Sequence, residues 1–314
     1  MEPSAPSPIE QIIAGLGKTD KPLLNSQLIE LSNLSLTELG FFEQVWTVIE
    51  TKRRQQVMYR LVELVEDNLE LNFDNIFIGC LKDQDAEVRS KAIEGLWENE
   101  EAFLINPLID LLEHDSSEKV QVAAAIALGK FAMLAAHEKL RPSHLSKIGQ
   151  ALLLEINNAS KAVEVRRRAL EAAAPLSLPQ VAEAIKQAYQ GQDAKLRVGS
   201  IYAMGKNCDP SWLPTLLKEL ASSNNEIRYE AAGACGELGE KEAVPYLMKL
   251  SSDPDANVQL VAIQALGKIG GTAARKHLRK CLNNPSEVIH QAAEQALDGL
   301  VIGEDPFSFQ IWPP

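Results

Sequence analysis

The chain has 314 residues, 46% of them apolar but only 5% aromatic, with a formal charge of −12 and an isoelectric point near 5.0. Few aromatics beside abundant alanine and leucine argue against a sheet-rich fold, and the acidic balance supplies no bulk pull toward nucleic acid or an anionic membrane. The four cysteines, Cys80, Cys208, Cys235 and Cys281, form no CxxC pair and have no histidine at metal-ligand spacing; Cys80, Cys235 and Cys281 are expected to be packing thiols in a reducing cytoplasm, with no metal and no cofactor.

Residues 1–22 open on the Pro- and Ser-rich MEPSAPSP and are expected to be poorly ordered. Residues 23–70 read as a degenerate helical cap: apolar spacing permits a short helix near 25–32, and 38–50 and 53–68 form a stronger amphipathic pair. No basic-plus-apolar signal pattern opens the chain, and no apolar run is read as approaching the ~20 residues a bilayer span needs. A cytoplasmic location and no membrane partner are therefore expected.

From 71 to 303 one unit recurs, and residues 223–270 carry two clear copies. A branched residue (Ile227, Val258) is followed by Ala at +4 and +7 and by Gly at +9. The anchors extend to Val57, Val88, Val120, Val165, Leu196, Ile227, Val258 and Ile289, with steps of 31, 32, 45, 31, 31, 31 and 31. Periods of this length mark solenoids. The anchor and its offsets trace one face of an inner helix whose alanines let a neighbour approach closely. At Val57 the +4 residue is Leu61, the divergence an end repeat is expected to have.

The phrases DQDAEVRSKAIEGLW, QDAKLRVGSIYAMG, NNEIRYEAAGACGELG and DPDANVQLVAIQALGKIG resemble the second-helix signature of HEAT repeats of the short bacterial type, the form also found in phycobilisome lyases. The resemblance covers roughly 72–300. It implies an all-α, right-handed α-solenoid of about seven helix pairs with degenerate terminal caps. Outer helices are placed near 73–82, 102–113, 143–157, 179–190, 211–221, 242–251 and 272–282. The turns DQD, HDSS, NNAS, GQD, SSNN, SDPD and NNPS supply N-capping residues for the inner helices. Pro107, Pro214 and Pro245 share one phase near the starts of outer helices. The step of 45 is the chief irregularity: after Gly129 the helix is expected to run on through FAMLAAHEKL, and the extra residues either lengthen a helix or bulge a loop, changing the superhelix pitch and dividing the array, or are a neutral insertion. Residues 304–314, EDPFSFQIWPP, form an aromatic tail expected to fold back as a cap, with a docking peptide as the alternative.

At +1 stand Arg89, Gln121, Arg166, Arg197, Arg228, Gln259 and His290; pairing with turn acids and carbonyls of a neighbouring repeat is expected rather than a phosphate site, Asp83, Asp85 and Asp193 being available. The runs at 52–54 (KRR) and 166–168 (RRR) read as solvated helix faces. Deoxyhypusine hydroxylase, a HEAT-like metal oxidoreductase, would place His-Glu pairs at +2 and +3. No such pair stands in phase here, Tyr229-Glu230 comes closest, and His137-Glu138 falls outside the register. No phosphate loop, GxSxG or Ser/His/Asp set is present.

What remains is a surface. Positions +2 and +6 of the inner helices are expected to face the concave side. Arg167, Val198, Tyr202, Tyr229, Leu260 and Gln264 are therefore the expected partner-binding residues of a non-enzymatic scaffold or adaptor. The expected partner is a peptide or protein helix, not nucleic acid; oligomeric state is not read from the sequence. The alternatives are a phycobilisome-lyase-like assembly or chromophore-attachment subunit and a deoxyhypusine-hydroxylase-like enzyme.

Overall fold

A computed structural model describes residues 7–304, with side chains described through Leu300; the tail expected at 304–314 lies beyond its described residues, apart from the backbone of Glu304, and so do residues 1–6. Every regular element among the described residues is helical. The N-terminal region contains α1 (Pro8–Gly15), α2 (Asn25–Leu28) continued by a 3-10 turn (Ile29–Leu31), α3 (Leu36–Trp46) and α4 (Thr51–Asp67). Pairs of outer and inner helices follow: α5 (Asp74–Cys80) with α6 (Ala86–Gly95), α7 (Ile105–His114) with α8 (Glu118–Ala136), and α9 (Pro142–Asn157) with α10 (Val163–Ala173). Next come α11 (Pro179–Gln190) with α12 (Ala194–Asn207), α13 (Leu213–Glu219) with α14 (Asn225–Leu238), α15 (Val244–Leu250) with α16 (Ala256–Ile269), and α17 (Gly271–Cys281) with α18 (Glu287–Glu304).

The stretch 1–22, expected to be poorly ordered, is in part helical. Ser7 and Glu10 close a capping box at the start of α1, and the helix inserts Ile13, fully buried, into the N-terminal core. One buried isoleucine and a reciprocal cap fix the short helix despite its Pro-rich lead-in.

The inner helices start where the turn residues place them. Asp85, Asp193, Asn224 and Asp255 each accept hydrogen bonds from the backbone N–H groups two and three residues on. Helix α10 departs from this pattern, since it follows Ala162 and has no side-chain cap; Asn158 of NNAS instead accepts from the Ser160 N–H inside the turn. Pro214 and Pro245 stand in the first turns of α13 and α15, as their shared phase requires.

The glycine at +9 has a specific task. A Cβ on Gly205 would lie 2.6 Å from Ala234 Cα, one on Gly236 2.9 Å from Ala265 Cα, and one on Gly267 2.8 Å from Ala296 Cβ. The +9 glycine of one inner helix therefore rests on the +7 alanine of the next, and the repeat consensus is the imprint of that contact. At +12 the left-handed conformation closes the inner helix, at Gly239 (φ 74°) and at Cys208 (φ 54°).

The chain divides into two compact units, residues 1–134 with 140–151, and 135–139 with 152–314. The division falls at the 45-residue step, where α8 and α9 reach 19 and 16 residues. Helix α8 corrects one expectation: by length and mean hydropathy (1.5) it is sufficient to cross a bilayer. Half of it is buried inside the protein, and Val120, Ala124, Leu128 and Phe131 are core residues exposed by no more than 1%.

Candidate functional site

The +1 residues bind the protein's own backbone and acids. Arg89 forks onto Asp115 at 2.7 and 2.8 Å and also donates to the Asp83 carbonyl. Arg228 repeats the arrangement on Asp253, at 2.8 Å twice, and on the Ser222 carbonyl. Arg197 reaches Glu219 at 3.0 Å. Gln121 and Gln259 donate to the carbonyls of Asp115 and Asp253, Arg166 to that of Ile156, and His290 Nδ1 lies 2.7 Å from that of Leu282. The acids used are Asp115, Glu219 and Asp253, each on the turn or outer helix just before the next inner helix; they are not Asp85 or Asp193, which cap their own helices.

In the basic runs Lys52 is exposed, but Arg53 and Arg54 are buried and Arg166, Arg167 and Arg168 half-buried, so the arginines do not form solvated faces. Arg53 and Arg54 are 6% and 8% exposed: Arg53 donates to the carbonyls of Leu16 and Lys21, and Arg54 to that of Ile49 while pairing with Asp83 at 3.2 Å. A planar guanidinium fork can satisfy several carbonyls at once; in Arg54 the Nε, 3.2 Å from Asp83, makes an ion pair but no hydrogen bond.

On the inner-helix face of the second unit, α10, α12, α14 and α16 pack successively on one another and carry the six expected partner-binding residues. Arg167 and Arg168 form a charged lattice with Glu164 and Glu171, at 2.7 to 3.5 Å. The Arg167 stem lies across α12, because a Cβ on Gly199 would come within 2.7 Å of its Cγ. The Arg167 hydrogen bond holds the Glu164 carboxyl below its ordinary value. Glu171, on the same lattice, moves the other way, because burial outweighs its arginines. Glu230 on α14 is pushed up to about 7 by burial and then by the charges of Glu171 and Glu226. Glu237 accepts from Lys206 at 3.1 Å and Lys268 at 2.7 Å, which bridges α12, α14 and α16 at one repeat position.

Within this frame Tyr202 and Tyr229 are 37% and 40% exposed. Lys206 Nζ lies 5.8 Å from the Tyr202 ring. Leu260 is half-buried and Gln264 exposed. Val198 departs from expectation. It is 5% exposed, because the close packing of neighbouring inner helices widens the buried stripe to include its +2 position, so it is a core residue and not a contact.

Sequence reasoning passed over a second feature, wholly within the first unit. Residues of α4, α6 and α8, with those just after α4 and α6, enclose an apolar groove of about 600 Å³ between Val62, Ile93, Ala127 and the exposed Leu69, Trp97 and Ile126. The sequence did contain a signal. Ile126 stands at +6, the register that singles out Tyr202, and Trp97 stands at +9, where the later inner helices have Gly205, Gly236 and Gly267. Among the described residues no group of three or more His, Cys, Asp or Glu side chains is placed to hold a metal ion.

Helix pairs in sequence order, a Gly-on-Ala contact repeating every 31 residues, and an arginine ladder tying one repeat to the next define an all-helical repeat solenoid. The family model for HEAT repeats matches residues 75–146 and 213–298, half of the chain, and the chain belongs to that family. No curated protein gives a significant sequence match. Among solved structures, the chain is similar to yeast importin-beta (Kap95p) at 13% identity, covering 93% of this chain and 46% of that one with a TM-score of 0.55. It is also similar to importin beta in an ammonium sulfate condition at 16% identity (92% and 44% covered, TM-score 0.50). The complex of CpcE and CpcF of phycocyanin lyase from Nostoc sp. PCC7120 aligns at 16% identity (90% and 97% covered, TM-score 0.49). The two importin-beta likenesses concern the fold alone.

Proposed function

We propose that this HEAT-repeat chain is a non-enzymatic scaffold or adaptor that holds a protein partner on the inner-helix face of its second unit. The supporting observation is that two tyrosine rings, Tyr202 and Tyr229, stay more than a third exposed on neighbouring inner helices whose surrounding charges are largely paired. A frame cross-braced by Arg167, Glu237 and the lysines loses little freedom when a partner lands, and a tyrosine provides broad contact area at the expense of two torsions. Leu260 and Gln264 extend the contact onto α16. Arg167 offers only what its two glutamates leave free, so it orients the partner more than it binds it. The four unpaired thiols favour a cytoplasmic setting.

A photo-crosslinking residue in place of Tyr229 tests the proposal in the native host, with the same residue at Tyr246 on outer helix α15 (44% exposed) as the control. A discrete protein adduct from position 229 that is missing at 246, and that is lost when Tyr202→Ala is added, is the expected result. Equal labelling from both positions, or none from either, would refute the assignment of this face.

A further inference from the structure

The groove of the first unit lies where the repeat contact is missing: position +9 is Glu66 in the α4 repeat and Trp97 in the α6 repeat. In the α12, α14 and α16 repeats a +9 glycine covers the +7 alanine of the next inner helix, at 2.6 to 2.9 Å from an added Cβ. In the α6 repeat position +9 is Trp97, helix α6 ends at Gly95, and the +7 residue of α8, Ala127, is left as groove lining. The indole, too large for the glycine slot, stands at the lip with 52% of its surface exposed. Lys130 fixes that lip: its ammonium donates to the carbonyls of Leu96, Trp97 and Asn99 and lies 5.8 Å from the indole centroid. Its charge is thereby committed to the protein's own backbone.

The contents of the groove are apolar, and its rim is acidic. Leu69 is 81% exposed, Ile126 42% and Met133, two helical turns beyond Ile126 on the same face of α8, 37%. Glu66, Glu94 and Glu98 border the groove and are all exposed. Glu94 is paired with Lys91 at 2.7 Å, whereas Glu66 and Glu98 have no ion pair among the described residues. An apolar trough of this size suits the side chains of one helical face, and two exposed carboxylates outside any ion pair, Glu98 lying in the field of Lys130, favour a cationic flank. We infer that this groove is a second docking site, independent of the tyrosine face, and that it takes the apolar face of an amphipathic helix from a protein partner whose flanks carry Lys or Arg.

The test uses the full chain and two fluorescein-labelled model peptides, a leucine–lysine helix with its leucines on one face and its leucine–glutamate counterpart, read by fluorescence anisotropy. The leucine–lysine peptide is expected to bind. Ile126→Asp, and separately the double reversal Glu66→Lys/Glu98→Lys, should each weaken it by about tenfold or more. The same reversal at Glu183 and Glu242, exposed carboxylates of the second unit, should leave affinity within about twofold. Tyr229→Ala should have no effect, which separates this site from the proposed tyrosine face. Both rim glutamates are exposed and unpaired, so their reversal tests the groove even if Ile126→Asp does not fold. Equal weakening by the two reversals would mean diffuse attraction to an acidic chain and would overturn the inference. So would equal binding of the leucine–glutamate peptide, insensitivity to both groove variants, or no binding of the leucine–lysine peptide.

Discussion

Arg228 and Asp253 meet through two parallel hydrogen bonds of 2.8 Å, with side chains only 12% and 5% exposed. Removing one partner strands the other in a place water reaches poorly, so Arg228→Ala should destabilise the protein by about 2–4 kcal/mol in chemical denaturation. Arg228 holds the Asp253 carboxyl below its ordinary value, so this stabilisation is present at neutral pH and is lost as pH falls through the depressed value. The gap between wild type and variant should therefore close in acid. A gap that persists once the carboxylate is protonated would show that the arginine acts by packing alone. Glu230 carries the opposite sign. Its pKa rises from 4.5 to about 7, so the folded state holds a proton that the unfolded state has released, and the associated stability is full below 4.5 and lost as pH rises through 7. Glu230→Gln should flatten the stability profile across that window and gain about 1–2 kcal/mol above it, once solvent screening at a half-buried site is allowed for. A constant difference in melting temperature across the window would rule this out. The sequence made the pairing role of the +1 arginines legible, because a 31-residue register brings each to the same turn. It did not separate Val198 from Tyr202. Periodicity fixes the direction in which a residue points, but the width of the buried stripe depends on how closely the next helix approaches.

That approach is set at the scale of the element by the +9 glycine. Alanine is the better helix former by about 1 kcal/mol, so on propensity alone Gly236→Ala would stabilise α14. The added methyl, however, would come within 2.9 Å of Ala265 Cα, a backbone atom that cannot swing aside, and such overpacking costs about 1–3 kcal/mol or more. A net loss of stability is expected for Gly236→Ala. In the same helix Gly233→Ala meets only Val261 Cγ2 at 3.5 Å, an ordinary contact, and should be neutral or mildly stabilising. If both substitutions stabilise alike, the Gly-on-Ala contact does not set the helix spacing. Cys208 offers the reverse case. It occupies the left-handed closing position filled by Gly239 in the next repeat, so Cys208→Gly should raise stability by about 0.5–1 kcal/mol, read as a higher melting temperature. Helix positions were legible in the sequence because turn acids and prolines mark the starts of inner and outer helices. The 3-10 entries at Ala102–Leu104, Pro210–Trp212 and Lys241–Ala243 were not, since tightening one turn leaves the apolar spacing unchanged.

At the scale of the whole molecule, the chain resolves into two units at the long step, and within the second unit each inner helix packs on the next, from α10 to α18. The sequence recorded that boundary only as fourteen extra residues, and a length does not say whether a loop bulges or two helices extend; α8 and α9 extend. The groove was harder to read, since it depends on +9 departures, Glu66 and Trp97, whose meaning appears only once glycine is seen to be the residue that closes helix onto helix. Stability in such an array is a sum of local terms and nearest-neighbour interfaces, so damage should spread unevenly. Hydrogen exchange on Gly236→Ala is the measurement that separates the cases. Amides of α12, α14 and α16, which share the strained contact, should lose protection by about ten- to a hundredfold, the equivalent of about 1.4–2.8 kcal/mol. Amides of α4 and α6, in the other unit, should keep theirs. A uniform loss across the chain would mean that the two units unfold as one cooperative body and that the repeat interfaces do not act locally.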